Sequence, residues 1–86
     1  MVCNVYFLYS DKIKRYYVGV SNDVSDRLKR HNDGHSLSTK AGVPWRLLHC
    51  IKCVDKSVAM QLEQKIKKRG IARYLFDNNI EIVSGL

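Results

Sequence analysis

The sequence is poor in residues that interrupt or staple a chain. Its one proline, Pro44, and its five glycines form no linker, low-complexity tract or repeat, so the 86 residues read as one domain, 1–86. No apolar run approaches the roughly 18–20 residues needed to cross a bilayer, so no membrane-spanning helix is expected, and no membrane partner. The opening MVCNVYFLYSDKIKR has no basic segment ahead of its short apolar stretch and no small-residue cleavage site. It does not read as a signal peptide, and the expected location is cytoplasmic. Three cysteines are an odd number, so a disulfide framework is not expected. Cys50-Ile-Lys-Cys53 has the spacing of a metal or redox pair. There is no second pair, however, and on a strand residues 50 and 53 point to opposite faces. The phosphate-binding loop G-x-x-x-x-G-K-[ST] is absent, as are G-x-G-x-x-G, H-E-x-x-H and G-x-S-x-G. With three histidines and no paired carboxylates, a two-metal phosphoesterase site is hard to assemble.

Acidic charge is also scarce. Eight Asp and Glu face fifteen Lys and Arg, a net charge of +7. A domain this basic attracts polyanions, and nucleic acid is the commonest in a cell. The positive residues fall in three groups: Lys12, Lys14 and Arg15; Arg27, Lys29 and Arg30; and Lys65, Lys67, Lys68 and Arg69, with Arg73 nearby. Such clustering suits a phosphate-binding surface better than an even solubilising coat. The apolar fraction of 45%, with five Tyr, two Phe and one Trp, is enough for a modest core.

Val5-Tyr-Phe-Leu-Tyr9 and Tyr16-Tyr-Val-Gly-Val20 are β-branched and aromatic, and the polar stretch 10–15 between them predicts a β-hairpin. A helix follows, capped by Asn22 or Asp23, with Val24 and Leu28 on one face and Gly34 at its end. Residues 35–44 carry loop chemistry, and 45–54 read as a third strand. A second helix starts near Asp55 or Ser57 and carries Val58, Ala59, Leu62 and Ile66 at helical spacing. Gly70 interrupts it, 71–77 form a last short helix, and the chain from Asn78 is frayed or extended. The expected fold is α+β: a small three-stranded antiparallel sheet flanked by helices, in the order β-β-α-β-α-α.

An even-length hairpin connection puts Tyr6 and Tyr17 on the same face. Gly19 lies on that face too, as an uncovered spot where a ligand backbone could approach. Arg27 and His31 are four apart on the first helix, at the border of the apolar stripe. Glu63 is one residue past Leu62, about 100° round the second helix and again at the edge of the core face. Tyrosines, an arginine, a histidine and one carboxylate at core borders suit a shallow phosphodiester site. Each residue alone also has a plainer reading, as a core aromatic or a solvated helix charge. His31 by itself is the weakest of the set, and His35 and His49 read as structural or exposed.

Taken together these residues resemble the GIY-YIG nuclease domain. Its two name-giving tripeptides correspond to Val5-Tyr6-Phe7 and Tyr17-Val18-Gly19. The segment 21–34, with Arg27 followed four residues later by His31, is similar to the family's first helix. The loop 38–45 and the helix 59–69 with Glu63 are similar as well. The likeness covers about residues 4–75 and is nearest to short stand-alone bacterial members, related to the N-terminal nuclease domain of the excision-repair UvrC protein. The first tripeptide keeps only its Tyr, and the second has Val for Ile.

The resemblance implies a metal-dependent endonuclease acting on DNA phosphodiesters, with RNA also open as substrate. Tyr6 would be the general base or orient the attacking water, and Tyr17 would help hold nucleophile and phosphate. Arg27 would clamp the phosphate, and His31 would assist proton transfer. Glu63 would be the one protein ligand of a single Mg2+ or Mn2+. An ordinary Tyr has a pKa of about 10, so a base role needs nearby positive charge, for which Lys14, Lys40 and Arg27 are candidates, or relay through metal-bound water. Lys14, Arg15, Arg30, Lys40, Lys67 and Lys68 are the expected nucleic-acid contacts. The chain is expected to act as a monomer, with a protein partner available to supply specificity. The alternative is a binding module of the same fold that performs no chemistry or needs a partner for it.

Overall fold

The computed structural model describes residues 2–80. Strand β1 (Cys3–Ser10) is the middle of a three-stranded sheet ordered β2-β1-β3, with β2 (Arg15–Ser21) and β3 (Trp45–Cys53) at its edges. Both pairings are antiparallel, as the sequence predicts. A central strand is covered on both faces, and the run Val5–Leu8 is accordingly apolar throughout, with each residue at most 1% exposed. The hairpin closes at Ser10↔Arg15, and the Ser10 hydroxyl accepts from the Ile13 amide at 3.2 Å. That register sets Tyr6 opposite Gly19 and Leu8 opposite Tyr17, so the two tyrosines share a face. On the other side of β1, Phe7 pairs with His49 and Leu8 with Leu47, and the skipped Leu48 marks a bulge.

Alternation along β1 feeds two cores. Cys3, Val5 and Phe7 pack with Val18 and Cys53 of the sheet and with Ala59, Ile66 and Leu75 from α2 (Lys56–Arg69) and α3 (Ile71–Asp77). Tyr6 and Leu8 pack with Trp45, Tyr17 and Val43, and with Val24 and Leu28 of α1 (Val24–Asn32). Each longer helix starts at an aspartate cap. Asp23 accepts from the Asp26 amide at 3.0 Å, and Asp55 accepts from the Val58 amide at 2.9 Å. Gly70, at φ +99°, separates α2 from α3 as expected.

Helix α1 closes as read: Asn32 is its last residue, Asp33 its C-cap, and Gly34 takes φ +78° with its amide donating to the His31 carbonyl at 3.1 Å. Two details depart from the sequence reading. Val58, expected on the apolar face of α2, is 42% exposed, because that face is drawn by Ala59, Leu62 and Ile66 at i, i+3 and i+7. The loop after α1 contains a 3-10 turn, Lys40–Gly42. The expected frayed end begins at Asn78, the C-cap of α3, but Ile80 packs on the core and 81–86 lie outside the described residues. Cys50 is exposed and Cys53 buried, as opposite faces require. No helix among the described residues is long and apolar enough to cross a membrane.

Candidate active site

Gly19 is not an open spot. The Tyr6 ring lies across it, and a Cβ at position 19 would stand 2.5 Å from the Tyr6 Oη and 2.6 Å from its Cζ. The glycine is therefore the seat of the tyrosine, and nothing larger fits without moving a ring that is 1% exposed. Gly19→Ala is expected to destabilise the fold by about 1–3 kcal/mol, the usual range for overpacking a filled core. Urea unfolding measures it; wild-type stability in the alanine variant would overturn this account of the glycine.

The Tyr6 hydroxyl is 3.0 Å from Nε2 of His31. His31 is 3% exposed, and its other ring nitrogen, Nδ1, is 2.8 Å from the hydroxyl of Thr39, itself 1% exposed. Tyr17 closes the cluster, with its ring centroid 6.3 Å from Tyr6 and 5.0 Å from His31 in an edge-on arrangement. Three elements and one loop thus meet: β1 supplies Tyr6, β2 Tyr17, α1 His31, and the α1–β3 loop Thr39. The loop is fastened to the end of α1. Asn32 brackets the Trp45 backbone, accepting from its amide at 2.6 Å and donating to its carbonyl at 3.0 Å. The Trp45 indole N–H donates to the Thr39 carbonyl at 2.7 Å.

Burial pushes the Tyr6 hydroxyl well above the usual phenol range, and the neighbouring Tyr17 and then Glu63 push the same way. Of the three cations considered as its activators, Arg27 is the one that pulls Tyr6 down, and burial outweighs it. Burial, followed by the charge of Arg27, lowers His31 below the usual histidine value, so the imidazole is neutral at pH 7. Arg27 and Glu63 are therefore close enough to act electrostatically on the Tyr6 hydroxyl. The Glu63 side chain is 16% exposed, and its Oε1 is 3.6 Å from the Lys67 ammonium.

The remaining basic candidates lie outside this cluster. Lys14 and Arg15 are exposed at the hairpin end, with Lys14 at φ +54°. Arg30 is exposed and paired with Asp26 at 3.0 Å, one turn back on α1. Lys40 is exposed in the 3-10 turn directly after Thr39. Lys65, Lys67 and Lys68 line a shallow groove along α2 with Gln64. Among the described residues no three of His, Cys, Asp and Glu gather into a metal cluster, so a hard cation here would have few protein ligands. A single half-buried carboxylate fits Mg2+, which keeps several of its waters and is bound through one or two carboxylates plus substrate phosphate.

Residues 2–74 match the model of the GIY-YIG catalytic domain, and the chain belongs to that family. Membership brings nucleic acid as the general partner and a divalent metal as the general cofactor. The chain is 38% identical over 71 residues to the UPF0213 protein YazA of Bacillus subtilis strain 168, covering 79% of this chain and 72% of that protein. It is 36% identical over 70 residues to the UPF0213 protein BLi00048/BL00536 of Bacillus licheniformis, covering 76% and 71%. Among solved structures, the solution NMR structure of the UPF0213 protein BH0048 from Bacillus halodurans is 30% identical. That match covers 79% of this chain and 72% of the other, with a TM-score of 0.49.

Sequence reasoning passed over Thr39 and Asn32. Both stand where the sequence shows only a helix end and a polar loop, and their partners are 8 and 13 residues away along the chain. His31 did carry a signal: Val24, Leu28 and His31 fall at i, i+4 and i+7, the spacing of a buried stripe.

Proposed function

We propose that the chain is an endonuclease that hydrolyses DNA phosphodiester bonds with the help of one Mg2+ or Mn2+ ion. The observation that carries this reading is the Tyr6 hydroxyl, buried and 3.0 Å from a histidine nitrogen, in the electrostatic reach of both Arg27 and Glu63. A phenol whose burial favours the protonated form is not a standing tyrosinate. It can act as a shuttle: its oxygen takes a proton from the attacking water while its own proton passes to Nε2 of the neutral His31. Water oxygen bonds to phosphorus, the bond to the leaving sugar oxygen breaks, and that oxygen takes a proton from solvent. Tyr17, beside Tyr6, holds the water and the phosphate in line. Arg27 offers a fork of N–H donors to the non-bridging phosphate oxygens. Glu63 would hold the metal ion, which when bound supplies neutralisation of charge developing on the phosphoryl group.

The test is cleavage of labelled duplex, flap and branched DNAs and of RNA, with Mg2+ or Mn2+ and with a chelator. Metal-dependent cutting that the chelator abolishes is the expected result. Salt-sensitive binding with no cutting of any substrate would overturn the enzyme reading in favour of a binding module. Lys67→Ala and Lys68→Ala are expected to weaken binding evenly across sequences. Each should flatten the slope of log affinity against log salt by about one. A slope unchanged in both variants would remove α2 from the nucleic-acid face.

A further inference from the structure

Thr39 has no part in the proton transfer from water to His31, yet its hydroxyl is buried and stands 2.8 Å from Nδ1 of His31. The same hydroxyl lies 3.5 Å from the Ser36 carbonyl oxygen, positioned to donate to it. Two directions are open to this chain of hydrogen bonds. In one, Thr39 donates to Nδ1, Nε2 carries the imidazole proton, and Nε2–H donates to the Tyr6 oxygen. In the other, Nδ1–H donates to Thr39, and the bare Nε2 accepts from Tyr6. A hydroxyl has one proton and a carbonyl can only accept, so the Ser36 contact, long for an O–H···O bond, favours the second direction. With the threonine proton directed to Ser36, its oxygen is left to accept from Nδ1–H.

We propose that Thr39 is a positioning residue that holds neutral His31 as the Nδ1–H tautomer, so that Nε2 faces Tyr6 as a proton acceptor. The direction of the wire is then Tyr6 to His31 to Thr39 to the Ser36 carbonyl. The turn that presents Thr39 is itself fixed, since the Thr39 amide donates to the same Ser36 carbonyl at 3.2 Å. The Thr39 carbonyl, on its other side, is held by the Trp45 indole N–H. Three backbone and side-chain bonds thus aim one hydroxyl at one ring nitrogen. The kinetic consequence rests on the nuclease reading; the tautomer does not, because it is a property of the resting protein.

The experiment is nitrogen NMR of the full chain with 15N-labelled histidine at neutral pH, with His31 assigned against His35→Gln and His49→Gln variants. A pyrrole-type Nδ1 and a pyridine-type Nε2 at His31 are expected; a pyrrole-type Nε2 would overturn the proposal. Thr39→Val, nearly the same shape, should lose the fixed tautomer, and Thr39→Ser should keep it. The NMR result decides the tautomer whether or not any substrate is cut. Where the wild type cuts, Thr39→Val should be slower by about 10–100-fold, by analogy with the loss of the partner that orients a metal-bound histidine. Thr39→Ser should recover most of the rate. Cleavage by Thr39→Val at the wild-type rate, with an unchanged pH profile, would overturn the positioning role even if the tautomer is as stated.

Discussion

Tyr6→Phe is expected to cut DNA about 10²–10⁴-fold more slowly than wild type, the range for losing a positioned general base. The substitution keeps the ring that lies on Gly19 and removes only the oxygen that faces His31. The fold should therefore persist, at a cost of about 1–3 kcal/mol for leaving a buried histidine nitrogen without its partner. Measuring cleavage and urea unfolding on the same sample separates the two effects. A wild-type rate in the phenylalanine variant would show that the hydroxyl is not in the proton path.

The pH profile follows from the same pair. Burial lowers His31, so it remains the neutral acceptor down to below the ordinary histidine value of about 6.5. Cleavage should fall only at more acidic pH, as the imidazole takes up a proton and can no longer accept one from Tyr6. Stability should move in the same sense. Between the folded and unfolded values the unfolded chain binds the proton more tightly, so stability from this group is full above the unfolded value. It is lost as pH falls toward the folded one.

Glu63→Gln is the second large effect. If the carboxylate holds the metal, its loss removes several kcal/mol of charge stabilisation, about 10²–10³-fold in rate. Glutamine keeps the shape, so α2 should be undisturbed. The only ion pair lost among the described residues is that with Lys67, at 3.6 Å and with the lysine half-exposed, a contact of little weight. Calorimetric titration with Mn2+ in the presence of DNA provides the direct reading: one further ion bound with wild type than with the variant. DNA binding without metal should not weaken, because a negative charge has been removed from a phosphate surface. Equal Mn2+ binding by both proteins would take Glu63 out of the metal site.

Much of the fold was legible because local chemistry and long-range packing agree in it. The β-branched and aromatic runs around Tyr6 and Tyr17 can only bury themselves as strands. Asp23 and Asp55 cap helices where capping chemistry predicts, and Gly70 takes the positive φ that separates α2 from α3. The site was legible in part, as a set of residue types at core borders. Its connections were not. The Tyr6–Gly19 contact depends on cross-strand register, which turned an apparent opening into a filled seat. The Thr39–His31 bond depends on how a ten-residue polar loop folds back on the helix before it, and no periodicity encodes that. Arg30, expected to meet phosphate, also pairs with Asp26 one turn back at the exposed surface, a contact the helical spacing alone did not bring out.

The fastening of the α1–β3 loop has an optical consequence. Trp45 is the only indole in the chain, and it is 5% exposed. Its N–H bond ends on the backbone of the residue that holds His31, Gly42 packs against its ring, and Tyr17 stands 6.1 Å from it. Its fluorescence is therefore a natural gauge of loop seating. A seated loop gives blue-shifted emission with energy passed on from Tyr17, and any event that lifts the loop from α1 exposes the indole and shifts that emission to the red. The protein thus reports the state of its own histidine support without a label, in the same cuvette in which a nucleic acid is added.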